Sequence, residues 1–266
     1  MEIKICDVFS DCLNNINLEF KEKSITALIG SDNSCKTNLI NLINGQQKIN
    51  KGYIKYGRKK IDSLSNDTKI NSISEEVFYV SSDYREYLFN INIKEDFIYY
   101  VGNKEEDSLI DILKTFNLDK DILNKSYLDL SSIEYKKIIM ILAIMSNSKI
   151  IIIEDPTLNL DYKTTEILTR QLKKLKREGK IVIITSNNMD FVLGASDVIV
   201  ALNEYSVIDK GDKYKILSNE KVLESVNAEM PNLIKFVNAV RKDKKIKLSY
   251  KDNMSDLIKE VYRHAK

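Results

Sequence analysis

The sequence predicts an α/β protein whose core is a mostly parallel sheet with helices on both faces. Short apolar segments alternate with amphipathic helical segments along most of the chain, which is typical of such a sheet. Two of the segments, residues 25–29 and 150–153, are apolar on both faces, as expected for strands buried within a parallel sheet. Ligands bind these folds at the carboxyl ends of the strands, so we expect the functional residues there.

Antiparallel strands are predicted at the start of the chain, ahead of the parallel sheet. Residues 2–8 and 16–20 alternate polar and apolar side chains, which is the period of half-buried strands. Residues 51–60 predict a hairpin that turns near Gly57. We therefore expect the parallel core to be accompanied by N-terminal antiparallel strands.

The rest of the chain predicts the parallel sheet and then a helical end. The remaining strands are predicted at 77–80, 150–153, 181–184 and 198–202, with helices at 93–101, 109–116, 132–145 and 164–176 and a short helix that ends at Leu193. No strand pattern follows Asn219, and three amphipathic helices are predicted at 221–227, 232–241 and 254–263. This change predicts an α/β domain over residues 1–218 and a small C-terminal helical appendage over 219–266.

Composition excludes several classes of function. Hydrophobic residues at 43% allow a core, and a net charge of +2 does not indicate nucleic-acid binding. Three cysteines in 266 residues indicate reduced thiols without a disulfide framework. The single histidine, His264, lies near the end of the chain, which argues against His-based catalysis. We expect no membrane span, because no apolar run approaches about 18 residues. We expect no signal peptide, because charged and polar residues interrupt the start of the chain.

A phosphate-binding loop is predicted between the strand at 25–29 and the helical pattern that follows it. Gly30 ends the strand, and Lys36 and Thr37 come six and seven residues later, close to the pattern G-x-x-x-x-G-K-[ST]. Such a loop offers backbone N–H groups, a helix N-terminus and a lysine to phosphates. The alternative is an ordinary strand–turn–helix corner. The candidate nucleotide-binding residues are Gly30, Ser31, Asp32, Asn33, Ser34, Cys35, Lys36, Thr37 and Asn38.

Two carboxylates follow the most apolar strand, as Glu154 and Asp155. A buried strand fixes the position of such a carboxylate, and one acid suits Mg²⁺ while the next suits an attacking water. The alternative is that these acids only cap the next helix. Beside a phosphate loop on a parallel sheet, a magnesium site is the better interpretation.

With these two motifs in place, the chain resembles the nucleotide-binding domain of ABC transporters from residue 1 to about 202. Residues 157–161 look like the family's D-loop, and 185–190 look like its switch segment, with Asn187 at the usual histidine. Ser82 stands where the family has the glutamine of its Q-loop, and Phe9 is where an aromatic stacks on adenine. The residues at the family's L-S-G-G-Q signature are Leu130, Ser131, Ser132, Ile133 and Glu134.

This resemblance implies ATP and Mg²⁺ as cofactors and a helical subdomain at about residues 83–147. It implies Thr37, Glu154 and Ser82 as magnesium-binding residues, and Asp155, Asn187 and Ser82 as catalytic residues. The helices after residue 219 look like the C-terminal extension of ATPase subunits in energy-coupling-factor importers. Such a subunit works with a second ABC ATPase subunit and an integral membrane subunit, at the cytoplasmic face of the cell membrane.

Several positions depart from the family's pattern. Cys35 replaces a glycine of the phosphate loop, and the Glu154–Asp155 order reverses the family's metal-binding Asp and catalytic Glu. Asn187 cannot carry the charge of a histidine. In the signature, Ile133 obstructs backbone approach and Glu134 repels a triphosphate. The departures predict a subunit that binds nucleotide but hydrolyses it slowly or not at all.

Three functions remain open from the sequence. The first is the ATP-binding subunit of an energy-coupling-factor-like importer, with a coupling surface for the membrane subunit near residues 84–89. The second is a pseudo-ATPase that senses nucleotide or supports an active partner without transport. The third is a small-molecule kinase, which is less favoured because Arg85 is the only arginine near the loop's face and residues 158–161 stay unexplained.

Overall fold

Two β-sheets form the centre of the molecule. The computed structural model describes residues 1–31, 34–102, 106–244 and 248–264. Asp32 and Asn33 of the predicted phosphate loop lie outside the described residues. No helix among those that the structure describes is long and apolar enough to cross a membrane.

The strands and helices alternate along most of the chain. The strands are β1 (Glu2–Ser10), β2 (Leu13–Lys21), β3 (Ser24–Ile29), β4 (Lys51–Tyr56), β5 (Lys59–Asp62), β6 (Val77–Val80), β7 (Ile150–Ile153), β8 (Ile181–Thr185), β9 (Val198–Asn203) and β10 (Ser206–Asp212). The helices up to the end of the sheet are α1 (Lys36–Ile43), α2 (Asp67–Ser74), α3 (Ile93–Val101), α4 (Glu106–Thr115), α5 (Ser132–Met145), α6 (Tyr162–Arg177), α7 (Met189–Ala195) and α8 (Lys213–Leu217). The last helices are α9 (Glu220–Ser225), α10 (Asn232–Lys244) and α11 (Met254–His264).

The larger sheet has six strands in the order β10-β9-β3-β8-β7-β6. Its strands are parallel except β10, which pairs antiparallel with β9. Ile184 of β8 is in register with Ala27 of β3 on one side and with Ile153 of β7 on the other. The carboxyl ends of β3, β8 and β7 therefore reach the same edge, which confirms the predicted parallel sheet.

The smaller sheet is antiparallel and has the order β2-β1-β4-β5. This confirms the predicted antiparallel strands at the start of the chain. Its apolar residues and those of α1 form one hydrophobic cluster with Ile150 and Ile152 of β7. Ile151 and Ile153 point into the other cluster, which α5, α6 and α7 cover. The four isoleucines of β7 are thus buried on both faces.

The sequence patterns do not predict three of these elements, namely α2, β10 and α8. Helix α2 buries Ile73 alone, so its sequence carries little apolar periodicity. Strand β10 lies at the sheet edge, where its positions alternate between exposed and half-buried and are filled mainly by polar residues. Weak hydrophobic patterns of this kind are typical of elements at the margin of a fold.

The C-terminal helices divide between two apolar clusters. Val222 and Leu223 of α9 belong to the main core, whereas Val237, Leu248 and Leu257 form a small cluster of their own. The carboxylate of Asp252 accepts a hydrogen bond from Tyr214 Oη at 2.6 Å and lies 2.5 Å from Lys213 Nζ. The predicted helices are confirmed, and the domain boundary at 218/219 stays a prediction.

Candidate functional site

The loop from Gly30 to α1 brings a glycine close to two neighbouring segments. A Cβ at Gly30 would collide with the side chain of Ser34 and with the carbonyl oxygen of Leu202. Ser34 is fully buried, and its N–H donates to the carbonyl of Ser31 at 3.0 Å. Glycine at position 30 is therefore required by space, since the loop folds tightly against β9.

The Lys36 ammonium lies along the inside of this loop. Its Nζ donates to the carbonyl oxygens of Gly30 at 2.6 Å and Ser31 at 2.8 Å, and to Ser34 Oγ at 3.2 Å. The amides in the first turn of α1 have no acceptor four residues earlier within the helix. The lysine and the helix N-terminus thus converge where the sequence predicts phosphate, and both favour an anion.

Cys35 keeps the backbone conformation that the pattern assigns to glycine. It is the N-cap of α1 with φ 54° and ψ 28°, in the left-handed region, which costs a residue with a Cβ about 1–2 kcal/mol. Burial, and then the neighbouring Cys12, raise the pKa of the Cys35 thiol. The thiol therefore stays neutral at pH 7 and adds no negative charge to the loop.

The phosphate loop and the acidic end of β7 meet at Glu154. Its Oε1 accepts a hydrogen bond from Thr37 Oγ1 at 2.8 Å, and its Oε2 accepts one from the Ser82 N–H at 3.1 Å. Glu154 is 5% exposed, whereas Thr37 lies at the surface. Burial, followed by the nearby Glu154 charge, raises the pKa of the Tyr79 phenol. The structure places all three predicted magnesium-binding residues together, with Ser82 contributing its backbone.

Asp155 and Asn187 follow adjacent strands at the same edge. The Asp155 N–H donates to both the carbonyl and the hydroxyl of Thr185 at 3.2 Å, which joins the end of β7 to the end of β8. Asp155 has φ 41°, a strained conformation of the kind that occurs at functional sites. Asn187 is exposed two residues after Thr185. The predicted catalytic carboxylate and the switch segment are therefore neighbours.

The residues of the predicted signature lie at the N-terminus of α5. Ser131 is its N-cap, and Ser131 Oγ and N–H donate to Glu134 Oε2 at 2.7 and 2.9 Å. The Glu134 N–H donates back to Ser131 Oγ at 3.3 Å, which completes a capping box. These hydrogen bonds lower the pKa of the Glu134 carboxyl. Leu130 is half-buried against the core, and Ser132 and Ile133 are exposed.

Phe9 and Asn38 are the outlying members of the predicted nucleotide site. Phe9 is half-buried in β1, and Lys51 Nζ lies 5.3 Å from the centroid of its ring. Asn38 is half-buried in the first turn of α1. Stacking of adenine on Phe9 stays a prediction.

Lys136 was not predicted to be part of the site. Its side chain is buried, and Nζ donates to the carbonyl oxygens of Asp155 at 3.0 Å and Leu158 at 2.6 Å. A lysine on a helix usually reaches solvent, so the sequence offers no signal for this contact apart from its place two residues after the signature.

Comparison with known proteins identifies relatives that match most of the chain. The family model described as ABC transporter matches residues 13–158. The energy-coupling factor transporter ATP-binding protein EcfA3 of Oenococcus oeni is 25% identical over 94% of this chain and 88% of its own length. The EcfA2 protein of Mesoplasma florum is 29% identical over 85% of this chain and 74% of its own length.

Solved structures share the fold. The structure of cbiO1 from Clostridium perfringens, part of the ABC transporter complex cbiONQ, is 23% identical and aligns with a TM-score of 0.70. The alignment covers 89% of this chain and 98% of that one. An ATP-binding subunit of another ABC transporter is 18% identical, with a TM-score of 0.71 over 86% of this chain and 96% of that one.

Proposed function

The chain belongs to the ABC transporter family, and on that premise we propose that it is the ATP-binding subunit of an energy-coupling-factor-type transporter. The observation that carries the proposal is the hydrogen bond between Thr37 and Glu154, because it joins the phosphate loop to the acidic strand end. The similarity to proteins named energy-coupling factor transporter ATP-binding proteins supports the same conclusion.

The described residues fit Mg-ATP. Lys36 and the first amides of α1 would hold the phosphates, and the oxygens of Thr37 and Glu154, 2.8 Å apart, are ligands of the kind that Mg²⁺ prefers. No group of three or more His, Cys, Asp and Glu in the described part of the chain is placed to hold a metal ion. A Mg²⁺ ion here would therefore take most of its ligands from phosphate oxygens and water.

Hydrolysis by this chain is proposed to be weak. Asp155 is one methylene shorter than the glutamate that the family uses as the base, and a displacement of about 1 Å can lower a rate about a hundredfold. Asn187 brings no charge to the site. A non-hydrolysing pseudo-ATPase is the second candidate function, and the capping box favours it: Ser131 already donates to the Glu134 carboxylate, a group that repels phosphate.

The surface of the helical subdomain is suited to a membrane-embedded partner. Phe89 is 51% exposed, Ile91 82% and Tyr99 67%, and the rings of Phe89 and Tyr99 pack edge to face at 5.1 Å. Tyr87, from the predicted coupling surface, instead points inward and donates to the carbonyl of Tyr79. Exposed apolar clusters of this kind mark interaction sites. We propose that this cluster contacts the membrane subunit at the cytoplasmic face, beside a second ATPase subunit.

Co-purification tests the proposal. The chain is tagged and expressed with the products of its neighbouring genes, and detergent-solubilised membranes are purified on the tag. We expect a membrane subunit and a second ABC ATPase to co-purify, and Phe89→Ser to weaken recovery of the membrane subunit. Recovery of the chain alone from both membrane and soluble fractions contradicts the proposal.

Measurement of ATP turnover tests the proposal of weak hydrolysis. We expect the purified chain to hydrolyse ATP slowly or not at all, and the assembled complex to lose little activity when Asp155→Asn is introduced into this chain. Lys48→Ala, at an exposed lysine after α1, is the control for charge removal. The proposal of weak hydrolysis is overturned if the purified chain hydrolyses ATP at a normal rate and this activity is abolished by Lys36→Ala but not by Lys48→Ala.

A further inference from the structure

Lys136 is a buried cation that connects two parts of the fold. It lies in the second turn of α5 and is 2% exposed. Its ammonium donates to the carbonyl oxygens of Asp155 and Leu158, at 3.0 and 2.6 Å, and lies 5.3 Å from the ring centroid of Tyr84. Burial lowers the pKa of Lys136 to about 8, and the nearby Asp155 charge opposes this shift.

The segment that Lys136 holds is a strained turn. Asp155 and Asn159 have φ values of 41° and 61°, both in the left-handed region. The N–H of Leu158 donates to the same Asp155 carbonyl at 3.1 Å, so this oxygen receives a backbone and a side-chain donor. Strained backbone persists where surrounding contacts over-determine it. Lys136 supplies two such contacts, both assisted by charge.

The burial of an ammonium group at this place is not explained by stability alone. Taking a lysine out of water opposes folding, and an apolar side chain of similar volume would avoid that cost. The contacts of Lys136 reach carbonyl oxygens outside its own helix, in the loop 154–161 between β7 and α6. Helix α5 carries the signature residues at its N-terminus, and the loop carries the candidate catalytic carboxylate. The lysine therefore spans the two motifs.

We propose that Lys136 is a positioning residue that fixes the turn at 155–158 and couples it to α5, so that the turn and the signature move together when nucleotide binds. The coupling part of this proposal rests on the proposed nucleotide binding. The positioning part does not, because Lys136 contacts the carbonyl oxygens of Asp155 and Leu158 in the chain without nucleotide.

The test compares amide hydrogen exchange in full-length wild type, Lys136→Met and Lys136→Arg. Lys137→Met is the matched control, since Lys137 is half-exposed on the same helix and the same charge is removed. Without nucleotide, we expect the Leu158 and Leu160 amides to exchange about tenfold faster in Lys136→Met, because two charge-assisted hydrogen bonds are lost. We expect Lys136→Arg to restore most of the protection.

The coupling arm repeats the comparison with Mg-ATP. We expect nucleotide to slow exchange at residues 132–136 in wild type and Lys137→Met, and this response to vanish in Lys136→Met while the Kd for Mg-ATP stays within about twofold. If Lys136→Met fails to fold, Lys136→Gln, with a shorter neutral amide, takes its place.

Unchanged exchange at Leu158 and Leu160 in the folded Lys136→Met variant overturns the positioning role. A wild type that binds Mg-ATP without any response at residues 132–136, or a full response in Lys136→Met, overturns the coupling. Failure of wild type to bind Mg-ATP counts against the proposed function instead, and the nucleotide-free arm still decides whether Lys136 positions the turn.

Discussion

The Thr37 hydroxyl donates a 2.8 Å hydrogen bond to Glu154, although the two residues are 117 positions apart in the chain. Thr37 is the second residue of α1, which follows β3, and Glu154 is the first residue after β7, with β8 between the two strands. Parallel strands bring their carboxyl ends to one edge of the sheet. At this contact the phosphate loop meets the acidic residues that follow β7. The remaining features of the site are arranged around it.

Replacement of Cys35 by glycine should improve nucleotide binding. The substitution relieves the left-handed strain at φ 54° and removes a Cβ from the loop, so we expect the affinity for Mg-ATP to rise about threefold to tenfold. Calorimetric titration measures this. Cys12→Ala, which removes the neighbouring thiol and leaves the loop unchanged, should bind as wild type does. Weaker binding by Cys35→Gly would show that the cysteine is adapted to the loop.

Replacement of Glu134 by glutamine should weaken the N-terminus of α5. Hydrogen bonds from Ser131 lower the pKa of the Glu134 carboxyl, so its stabilising contribution is present above the ordinary carboxyl pKa and is lost as the pH falls. We expect Glu134→Gln to reduce the free energy of unfolding by about 0.5–1 kcal/mol at pH 7. The difference from wild type should shrink towards pH 3. Urea unfolding at both pH values measures it, with exposed Glu224→Gln as the control; equal stability at pH 7 contradicts the prediction.

Replacement of Asp252 by asparagine should loosen the attachment of the segment between α10 and α11 to α8. Burial raises the pKa of the Asp252 carboxyl, but hydrogen bonds from Lys213 and Tyr214 outweigh it, so the net shift is downward. The contacts of Asp252 with Lys213 and Tyr214 are therefore strong at neutral pH and weaken as the carboxyl is protonated. We expect a loss of about 2 kcal/mol at pH 7, measured by chemical denaturation. Asp256→Asn, at a half-exposed side chain, should cost much less, and equal losses in the two variants would exclude a specific anchor.

Much of this architecture is encoded in local patterns. The four isoleucines of β7 predict a strand buried on both faces, and the glycine-to-lysine spacing of the loop predicts its position before α1. The unusual backbone expected at the glycine position is present at Cys35. Order along the chain was therefore sufficient to predict which strand ends would meet, because a parallel sheet leaves few alternatives.

Other features depend on tertiary contacts that no local pattern contains. Ser131 and Glu134 have the spacing of a capping box, yet the sequence alone does not decide whether the carboxylate faces its own helix or a ligand. The burial of Lys136 follows from the carbonyls of a loop about 20 residues away, and helix propensity carries no such information. Helix α2 lacks an apolar stripe because it buries one isoleucine.

The central claim is that a triphosphate and Mg²⁺ occupy the junction of the phosphate loop and Glu154. Calorimetric titration with ATP, in Mg²⁺ and in EDTA, tests it on wild type, Lys36→Ala and Glu154→Gln. We expect wild type to bind about tenfold more tightly with Mg²⁺, Glu154→Gln to lose that gain, and Lys36→Ala to lose binding. Absence of binding by wild type at millimolar ATP, or equal affinities in all three proteins, would contradict the account.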